Sequence, residues 1–189
     1  MDDSARSKCL RSIAHLKVET PLSESENEIT LSERDSPFAR ALGHGLLEMY
    51  LVDEGDRFEY VQQRDVADAE FSPDLVREKA LRNLGEVAQK KVQVRPYGAM
   101  YAVIGGGNHE ASMLLLDVFW DEWYKRLAPN GFVVAFPARD LLSFADASST
   151  QGIDDLRGLL SRAKGNVDHP LSDRLFRRVG RHWTPFKNS

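Results

Sequence analysis

The order of apolar runs and turn residues predicts an α+β fold, in which helices pack mainly on one face of a largely antiparallel sheet. Pairs of short apolar runs separated by turn residues indicate β-hairpins. A long apolar stretch over residues 109–127 indicates a central helix. The hairpins argue against a doubly wound parallel sheet, because parallel strands need long crossover connections.

Composition limits the class of protein. A chain of 189 residues has room for one ordinary domain, and its 42% hydrophobic and 29% charged residues are typical of soluble globular proteins. The single cysteine, Cys9, excludes an internal disulfide and any multi-cysteine metal site. No stretch is apolar and long enough for a membrane span or a signal peptide, so we expect a cytoplasmic protein.

The sequence predicts a polar, flexible N-terminal arm over residues 1–36, followed by a single α+β domain over residues 37–189. Residues 19–36 are acidic and rich in serine and threonine, so they have little to bury. A short helix around residues 7–16 is an equally good interpretation of the first part, and residues 29–31 fit a short edge strand. We therefore expect the arm to be dispensable for folding.

The domain begins with a predicted hairpin and a helix. Two strand-like runs, residues 46–52 and 57–61, flank a turn rich in aspartate and glycine. Ser72 is a suitable N-cap, and Pro73 fits the first helical position. This helix is expected to end around residues 89–91. Its apolar stripe recurs at helical spacing, at Val76, Ala80, Leu84 and Val87.

Two more strands, residues 92–94 and 100–104, are predicted around a turn at Pro96. The central helix over residues 109–127 then carries aromatic residues at helical spacing, which core packing explains better than an aromatic binding surface. We expect at least one of its tryptophans to be buried. These aromatic residues are Trp120, Trp123 and Tyr124.

The last third of the chain is predicted to hold one interior strand, two helices and a final hairpin. Residues 132–136 form a continuous apolar run, which is typical of an interior strand. A short helix is predicted over residues 139–147 and a longer one over residues 154–163. Gly180 and Arg181 separate the two runs of the hairpin, which cover residues 175–179 and 182–186.

An ordered set of local motifs lies within residues 37–187. In chain order the motifs are Tyr50-Leu51-Val52-Asp53, Phe58–Val61, Ala80–Leu84, Met100–Val103, Gly107–Ser112, Val133–Pro137, Arg139–Leu142 and Pro170-Leu171-Ser172. With this set the chain resembles the YtpQ-like family of bacterial proteins, whose function is not characterised. The resemblance implies a compact α+β bacterial cytoplasmic protein. It supplies no activity, cofactor or catalytic residue.

A glycine-rich turn before the central helix is the one plausible anion or ligand site. Free backbone amides at a helix N-terminus attract negative charge, but the turn lacks the ending of a phosphate-binding loop. A carboxylate beside the same helix pole would also compete with a bound anion. We expect a structural turn, with a ligand site as the alternative. The residues are Gly105, Gly106, Gly107, Asn108, His109 and Glu110.

Catalytic and metal-binding sets are not recognisable in the sequence. Cys9 lies in the predicted arm without a partner base, and Ser112 is most simply a small packing residue. Met113 stands four residues after His109, where a zinc-binding helix would need a second histidine. The five histidines lie in separate elements. We therefore predict no catalytic residues, no metal and no cofactor.

Basic residues are concentrated near the C-terminus. Residues 156–189 contain eight basic and two acidic side chains, a local charge of +6, although the whole chain carries −4. Such a patch suits nucleic acid or an acidic protein, but charge also protects the edge of a hairpin. We favour edge protection and expect no nucleic-acid binding. The candidate basic surface consists of Arg174, Arg177, Arg178, Arg181 and Lys187.

These observations favour a small cytoplasmic bacterial protein that works by binding another protein, without catalysis, as an adaptor or an inhibitor or immunity-type partner. Two alternatives remain open. One is a hydrolase-type enzyme with a pocket near the turn at residues 105–110. The other is nucleic-acid binding through the basic C-terminal segment. No membrane partner is expected.

Overall fold

The chain divides after Glu86 into two units, Met1–Glu86 and Val87–Ser189, each with its own sheet. The computed structural model describes residues 3–19, 32–55 and 57–187. Within these residues neighbouring strands pair in antiparallel fashion, which confirms the α+β fold class. The division differs from the single domain predicted over residues 37–189, because local patterns indicate elements but not which elements share a core.

In the first unit, β3 is the central strand and pairs with β1, β2 and β4. The helix α3 crosses the boundary between the units. In chain order the elements are α1 (Asp3–Arg11), β1 (Ile13–Val18), β2 (Ala39–Gly43), β3 (Leu46–Asp53), β4 (Phe58–Tyr60), α2 (Gln63–Asp68) and α3 (Pro73–Lys91).

The prediction of a flexible arm is wrong for residues 3–18. The strand β1 pairs with β3 along its whole length, from Ile13 opposite Leu51 to Val18 opposite Leu46. Side chains of α1 and β1 are buried. The alternative interpretation, a short helix around residues 7–16, agrees in part with α1, which ends at Arg11. Averaged over 36 residues, the acidic composition hid the strand β1. Residues 20–31, which include the edge strand predicted at residues 29–31, lie outside the described residues.

The hairpin of β3 and β4 confirms the prediction for residues 46–61, with Leu51 opposite Tyr60. A second hairpin, between β2 and β3, was not predicted. Its two turn residues, His44 and Gly45, have φ of 57° and 78°, which is the backbone of a type I′ turn. Because β2 has the sequence Ala-Arg-Ala-Leu-Gly, it lacks the branched and aromatic residues that mark a strand.

The predicted start of α3 is confirmed. The backbone amide of Leu75 donates a hydrogen bond to the hydroxyl of Ser72 at 3.2 Å, so Ser72 caps the helix. The side chains of Val76, Ala80 and Leu84 are fully buried, as their spacing predicts.

The second unit holds a six-stranded antiparallel sheet with the order β10-β9-β7-β8-β6-β5. The strand and helix predictions for residues 92–104, 132–136, 154–163 and 175–186 are confirmed to within a few residues. The elements are β5 (Gln93–Tyr97), β6 (Met100–Ile104), β7 (Phe132–Ala138), β8 (Leu141–Asp146), α4 (Thr150–Ala163), β9 (Phe176–Val179) and β10 (His182–Pro185).

The prediction of a central helix over residues 109–127 is wrong. Three short turns replace it: 3₁₀ turns at Ala111–Leu115 and Lys125–Leu127, and a π turn at Phe119–Trp123. Leu116 has an extended backbone that separates the first two turns. The apolar residues were correctly expected to be buried, but a packed irregular segment satisfies the same pattern. Asn108 therefore has no helix to cap.

The short helix predicted over residues 139–147 is also wrong, because residues 141–146 form β8. This strand lies inside the sheet between β7 and β6. Both of its faces are buried, so its side chains do not alternate between apolar and polar. An interior strand of this kind cannot be distinguished from a buried helix by periodicity alone.

The two faces of the second sheet are covered differently. On one face, Val133, Ala135 and Ala145 pack with Ile153 and Leu156 of α4. We call this the α4 face. On the opposite face, the ring of Trp120 contacts the rings of Phe132 and Phe144 at centroid distances of 4.9 and 5.6 Å. Trp120 is fully buried, which confirms that a tryptophan of this segment belongs to the core.

Deleting residues 1–19 should lower the free energy of unfolding by ~4 kcal/mol or more, because β1 is removed from the sheet and each buried apolar side chain contributes ~1–3 kcal/mol. Urea unfolding followed by circular dichroism measures this change. Removing only Met1 and Asp2 is the control and should change stability little. A difference below ~1 kcal/mol for the long deletion would contradict the placement of β1.

Candidate functional site

The glycine-rich turn follows β6 and is closed by its own carboxylate. One oxygen of Glu110 (Oε1) accepts hydrogen bonds from the backbone amides of Gly105 and Gly107, both at 2.8 Å. The other oxygen (Oε2) accepts from the amide of His109 at 3.1 Å. Glu110 is only 3% exposed. Three of the backbone donors that would attract an external anion are thus used within the chain.

The glycines of this turn have conformational reasons to be there. Gly106 and Gly107 have φ of 96° and 91°, in the left-handed region that favours glycine. A Cβ atom on Gly105 would lie 2.9 Å from Cγ2 of Val92, which is too close. An external anion would have to displace the Glu110 carboxylate. These observations favour the structural interpretation of the turn over the ligand site.

The sheet divides the predicted basic surface between its two faces. Arg178 lies opposite the α4 face and is buried. Its Nη2 atom lies 2.8 Å from Oδ1 of Asp117 and 3.1 Å from Oδ1 of Asp121, and its Nε donates to the carbonyl of Gly180 at 3.1 Å. Burial lowers the pKa of Arg178, and the two carboxylates oppose this effect. Arg178 is therefore a structural cation and not part of a surface patch.

Arg181 belongs to the same group of charges, since its Nε atom lies 3.8 Å from a carboxylate oxygen of Asp117 and of Asp121. These two acids precede the C-terminal segment in the sequence. Counting charges over residues 156–189 therefore overstated the local positive charge. The two acids lie close to Arg178 and Arg181 because β9 pairs with β10, and a count of charges along the sequence cannot show this pairing.

The other three members of the basic surface, Arg174, Arg177 and Lys187, are exposed, as is Arg181. Arg177 pairs with Val133, whose side chain packs on α4. Because paired residues of neighbouring strands share a face, Arg177 lies on the α4 face. Arg157 of α4 adds a fourth basic side chain near this surface, where it also pairs with Asp154 at 2.6 Å.

An open groove between α4 and the C-terminal strands holds part of this charge. Its volume is about 440 Å³, and Asp173 is its acidic lining residue. Leu160 and Phe186 also pack against the α4-face core. We call this cavity the α4 groove. Its basic rim is formed by Arg157, Arg174 and Lys187. Its apolar floor is formed by Leu160, Leu175 and Phe186.

A second cavity continues the α4 groove toward the C-terminal end of the helix. Its volume is about 280 Å³, and it shares Leu160 and Asp173 with the groove. We call it the apolar pocket. Its apolar lining includes Pro137, Leu160, Ala163, Val167, Pro170 and Leu171.

A third cavity, of about 360 Å³, lies beside the turn between β5 and β6 and contains Asp154, Asp155 and Arg162. The carboxylate of Asp155 accepts hydrogen bonds from the amide of Ala99 at 2.8 Å and from the side chain of Gln151 at 2.9 Å. These bonds lower the pKa of Asp155. Its carboxylate therefore fastens the β5–β6 turn.

The first unit contains a buried polar group that the sequence did not indicate. Glu48 is fully buried on β3 and accepts hydrogen bonds from the hydroxyl of Tyr50 and from Nε of Arg77, both at 3.1 Å. Burial raises the pKa of Tyr50, and the Glu48 charge raises it further. A lone glutamate inside the apolar run at residues 46–52 was the available signal. The group joins β3 to α3.

Cys9 is not placed as a nucleophile. Its side chain is 1% exposed. Burial raises the pKa of the thiol to about 11, the charge of Asp65 adds to this, and that of Lys8 opposes it. The thiolate is scarce at neutral pH. Ser112 is likewise buried, in the first 3₁₀ turn of its segment.

Residues 3–19, 32–55 and 57–187 contain no group of three or more histidine, cysteine, aspartate or glutamate residues arranged to hold a metal ion. In this described part of the chain, no helix has the length and apolar character to cross a membrane.

Comparison with known proteins finds one distant bacterial relative. No family model and no solved structure matches the chain. The chain is similar to a UPF0354 protein of Listeria monocytogenes, with 29% identity over 109 residues. The match covers 57% of this chain and 40% of the relative's length. The similarity indicates an uncharacterised bacterial protein family and names no activity.

Replacing Glu110 by glutamine should lower the free energy of unfolding by ~1–3 kcal/mol, because the amide NH₂ group cannot accept from the backbone amides. Urea unfolding measures the loss, and the exposed Glu122→Gln is the matched control. Adding phosphate should not stabilise the original protein. Unchanged stability for Glu110→Gln, or stabilisation of the original protein by phosphate, would contradict the structural interpretation.

The single thiol should react at least ~100-fold more slowly with iodoacetamide in the folded protein than in urea at pH 7.5, because it is buried and its pKa is raised. Mass spectrometry of samples quenched over time measures both rates. Since Cys9 is the only cysteine, the label reports on one site. Similar rates in the two conditions would show that the thiol is accessible.

Proposed function

We propose that the protein works by binding a segment of another protein in the α4 groove. The observation that carries this proposal is the combination of a basic rim with an apolar floor. Arg157, Arg174 and Lys187 supply the positive charge, and Leu160 and Phe186 supply the apolar surface. This surface suits an acidic segment that also carries apolar side chains.

The exposed cations support this choice of partner. No ion pair to Arg174, Arg177 or Lys187 is formed by the described residues, whereas Arg178 and Arg181 already face Asp117 and Asp121. An acidic partner would meet the first three without displacing an internal contact. Charge complementarity of this kind raises association rates and selects partners.

Nucleic acid fits the groove less well than a peptide. Single strands are held by continuous basic tracks and by aromatic rings on which bases stack. The groove is also lined by the acid Asp173, and Phe186 is partly buried against the core. The whole chain also carries a charge of −4.

The hydrolase alternative gains little support from the geometry. Three of the turn amides donate to Glu110, and the three cavities are lined by residues other than those of the turn. Burial raises the pKa of Asp146, but hydrogen bonds from Ser148 and Asn130 outweigh it and lower the pKa. This perturbed carboxylate holds a turn, which is a structural cause and not a catalytic one.

The family, the cellular location and the role of the protein are part of the same proposal. The distant UPF0354 relative and the ordered motifs support membership of the YtpQ-like family. A cytoplasmic role as an adaptor or as an inhibitor or immunity-type partner is consistent with a binding groove and a bacterial relative.

A short acidic peptide should bind the α4 groove with a Kd of ~10–100 μM, since a groove of this size buries limited area. The probe is a fluorescein-labelled palindromic peptide with a central leucine, glutamates at both ends, and serine and glycine between them. Reversing two rim charges, Arg174→Glu with Lys187→Glu, should weaken binding ~10-fold or more. Fluorescence anisotropy measures both affinities.

The matched control reverses two exposed cations outside the groove, Lys125→Glu with Arg126→Glu, and should leave the Kd within about twofold. Equal losses for the two double variants would mean that net charge, and not the groove, drives binding. Tighter and more salt-sensitive binding of oligothymidine than of the peptide would replace the proposal with nucleic-acid binding.

A further inference from the structure

We propose that the bound segment is an extended chain that places an acidic residue at the basic rim and a large aliphatic side chain in the apolar pocket, about three residues away. This inference rests on the proposed function and specifies the chemistry of the partner. It follows from the continuity of the α4 groove with the apolar pocket.

The two cavities are joined along α4. Arg157, Leu160 and Ala163 follow each other at intervals of three residues, so each is a surface neighbour of the next along the helix. Leu160 lines both cavities. Ala163 lies six residues after Arg157, which is ~9 Å along the helix axis. An extended chain covers this distance in about three residues.

The apolar pocket is preformed. Its outer wall is a loop fastened to β7, in which the amide of Leu171 donates to the carbonyl of Pro137 at 2.9 Å. The same loop is held again where the amide of Arg139 donates to the carbonyl of His169 at 3.2 Å. A fixed wall requires little ordering when a side chain enters. At about 280 Å³ the cavity has room for a leucine-sized group.

Asp173 supports an extended partner over a helical one. It lines both cavities and stands between the basic rim and the apolar pocket. An extended backbone has free amide groups from which this carboxylate can accept hydrogen bonds, whereas most amides of a helix already donate within the helix. The same carboxylate repels an acidic residue placed between the two anchors. The segment should therefore be uncharged between them.

The edge of the sheet does not replace these side-chain contacts. The strand β10 forms one edge, and Pro185 lies in its last position, opposite Phe176. Proline cannot donate a ladder hydrogen bond. Recognition must therefore depend on the anchors more than on strand addition.

The experiment is a cycle of two changes, one in the peptide and one in the pocket. In the palindromic peptide the glutamates lie three residues from the central leucine on both sides, so either chain direction can engage the groove. Replacing that leucine by alanine should weaken binding about tenfold. Leu171→Ser should weaken the leucine peptide about tenfold and the alanine peptide less than twofold.

Two further variants test whether a loss of binding comes from the pocket itself or from misfolding. Val167→Ser alters another part of the same pocket and should show the same selectivity, which guards against misfolding of Leu171→Ser. Leu115→Ser, a partly buried leucine outside the groove, should not distinguish the two peptides. Circular dichroism and thermal unfolding check that each variant is folded.

The two proposals fail in different ways. If the leucine and alanine peptides bind equally, and both still lose affinity with Arg174→Glu and Lys187→Glu, the aliphatic anchor is overturned and the binding function stands. If neither peptide shows binding that depends on these charges, the proposed function itself is overturned. A peptide with glutamate between the anchors that binds as tightly would overturn the role of Asp173.

Discussion

Burial of β7 on both faces is the constraint on which the second unit depends. All of its residues from Phe132 to Ala138 are buried, so each face of the sheet must be covered. The helix α4 covers one face. The other is covered by a segment without regular helix, and its backbone carbonyls need partners. Two indoles supply them: Trp120 donates to the carbonyl of Met113 at 2.8 Å, and Trp183 to that of Leu114 at 2.9 Å.

The same constraint decides which charges remain available. Arg178 stands on the side of the irregular segment, where its ion pairs with Asp117 and Asp121 hold that segment against β9. Arg178 is buried whereas the two carboxylates are nearly half exposed, so removing both carboxylates would leave a buried positive charge without compensation. Arg177, one residue earlier, points to the other face because side chains alternate along a strand. Strand alternation thus places Arg178 in a structural role and leaves Arg177 exposed on the α4 face.

Local patterns predicted the β3–β4, β5–β6 and β9–β10 hairpins, the Ser72 cap and the apolar character of residues 109–127, because these depend on neighbours in sequence. They failed where tertiary packing decides the backbone. Residues 141–146 were predicted as a helix because both faces of the segment are buried. They form a strand because they pair with β7 on one side and β6 on the other. For the candidate site, the glycines of the turn were found, but the inward placement of Glu110 was not. The α4 groove was only partly anticipated, since it combines Arg174 and Lys187 with Arg157 and Leu160 of a distant helix.

The two edges of the second sheet explain why side chains, and not the backbone, would carry recognition. Each outer strand is joined to its neighbour by a tight hairpin turn that begins with a glycine at positive φ, Gly98 between β5 and β6 and Gly180 between β9 and β10. Each also carries a proline, Pro96 in β5 and Pro185 in β10. Proline at an edge discourages the addition of further strands. In the proposed binding mode, strand addition at β10 is therefore disfavoured, and selectivity would depend on the charged rim and the apolar pocket along α4.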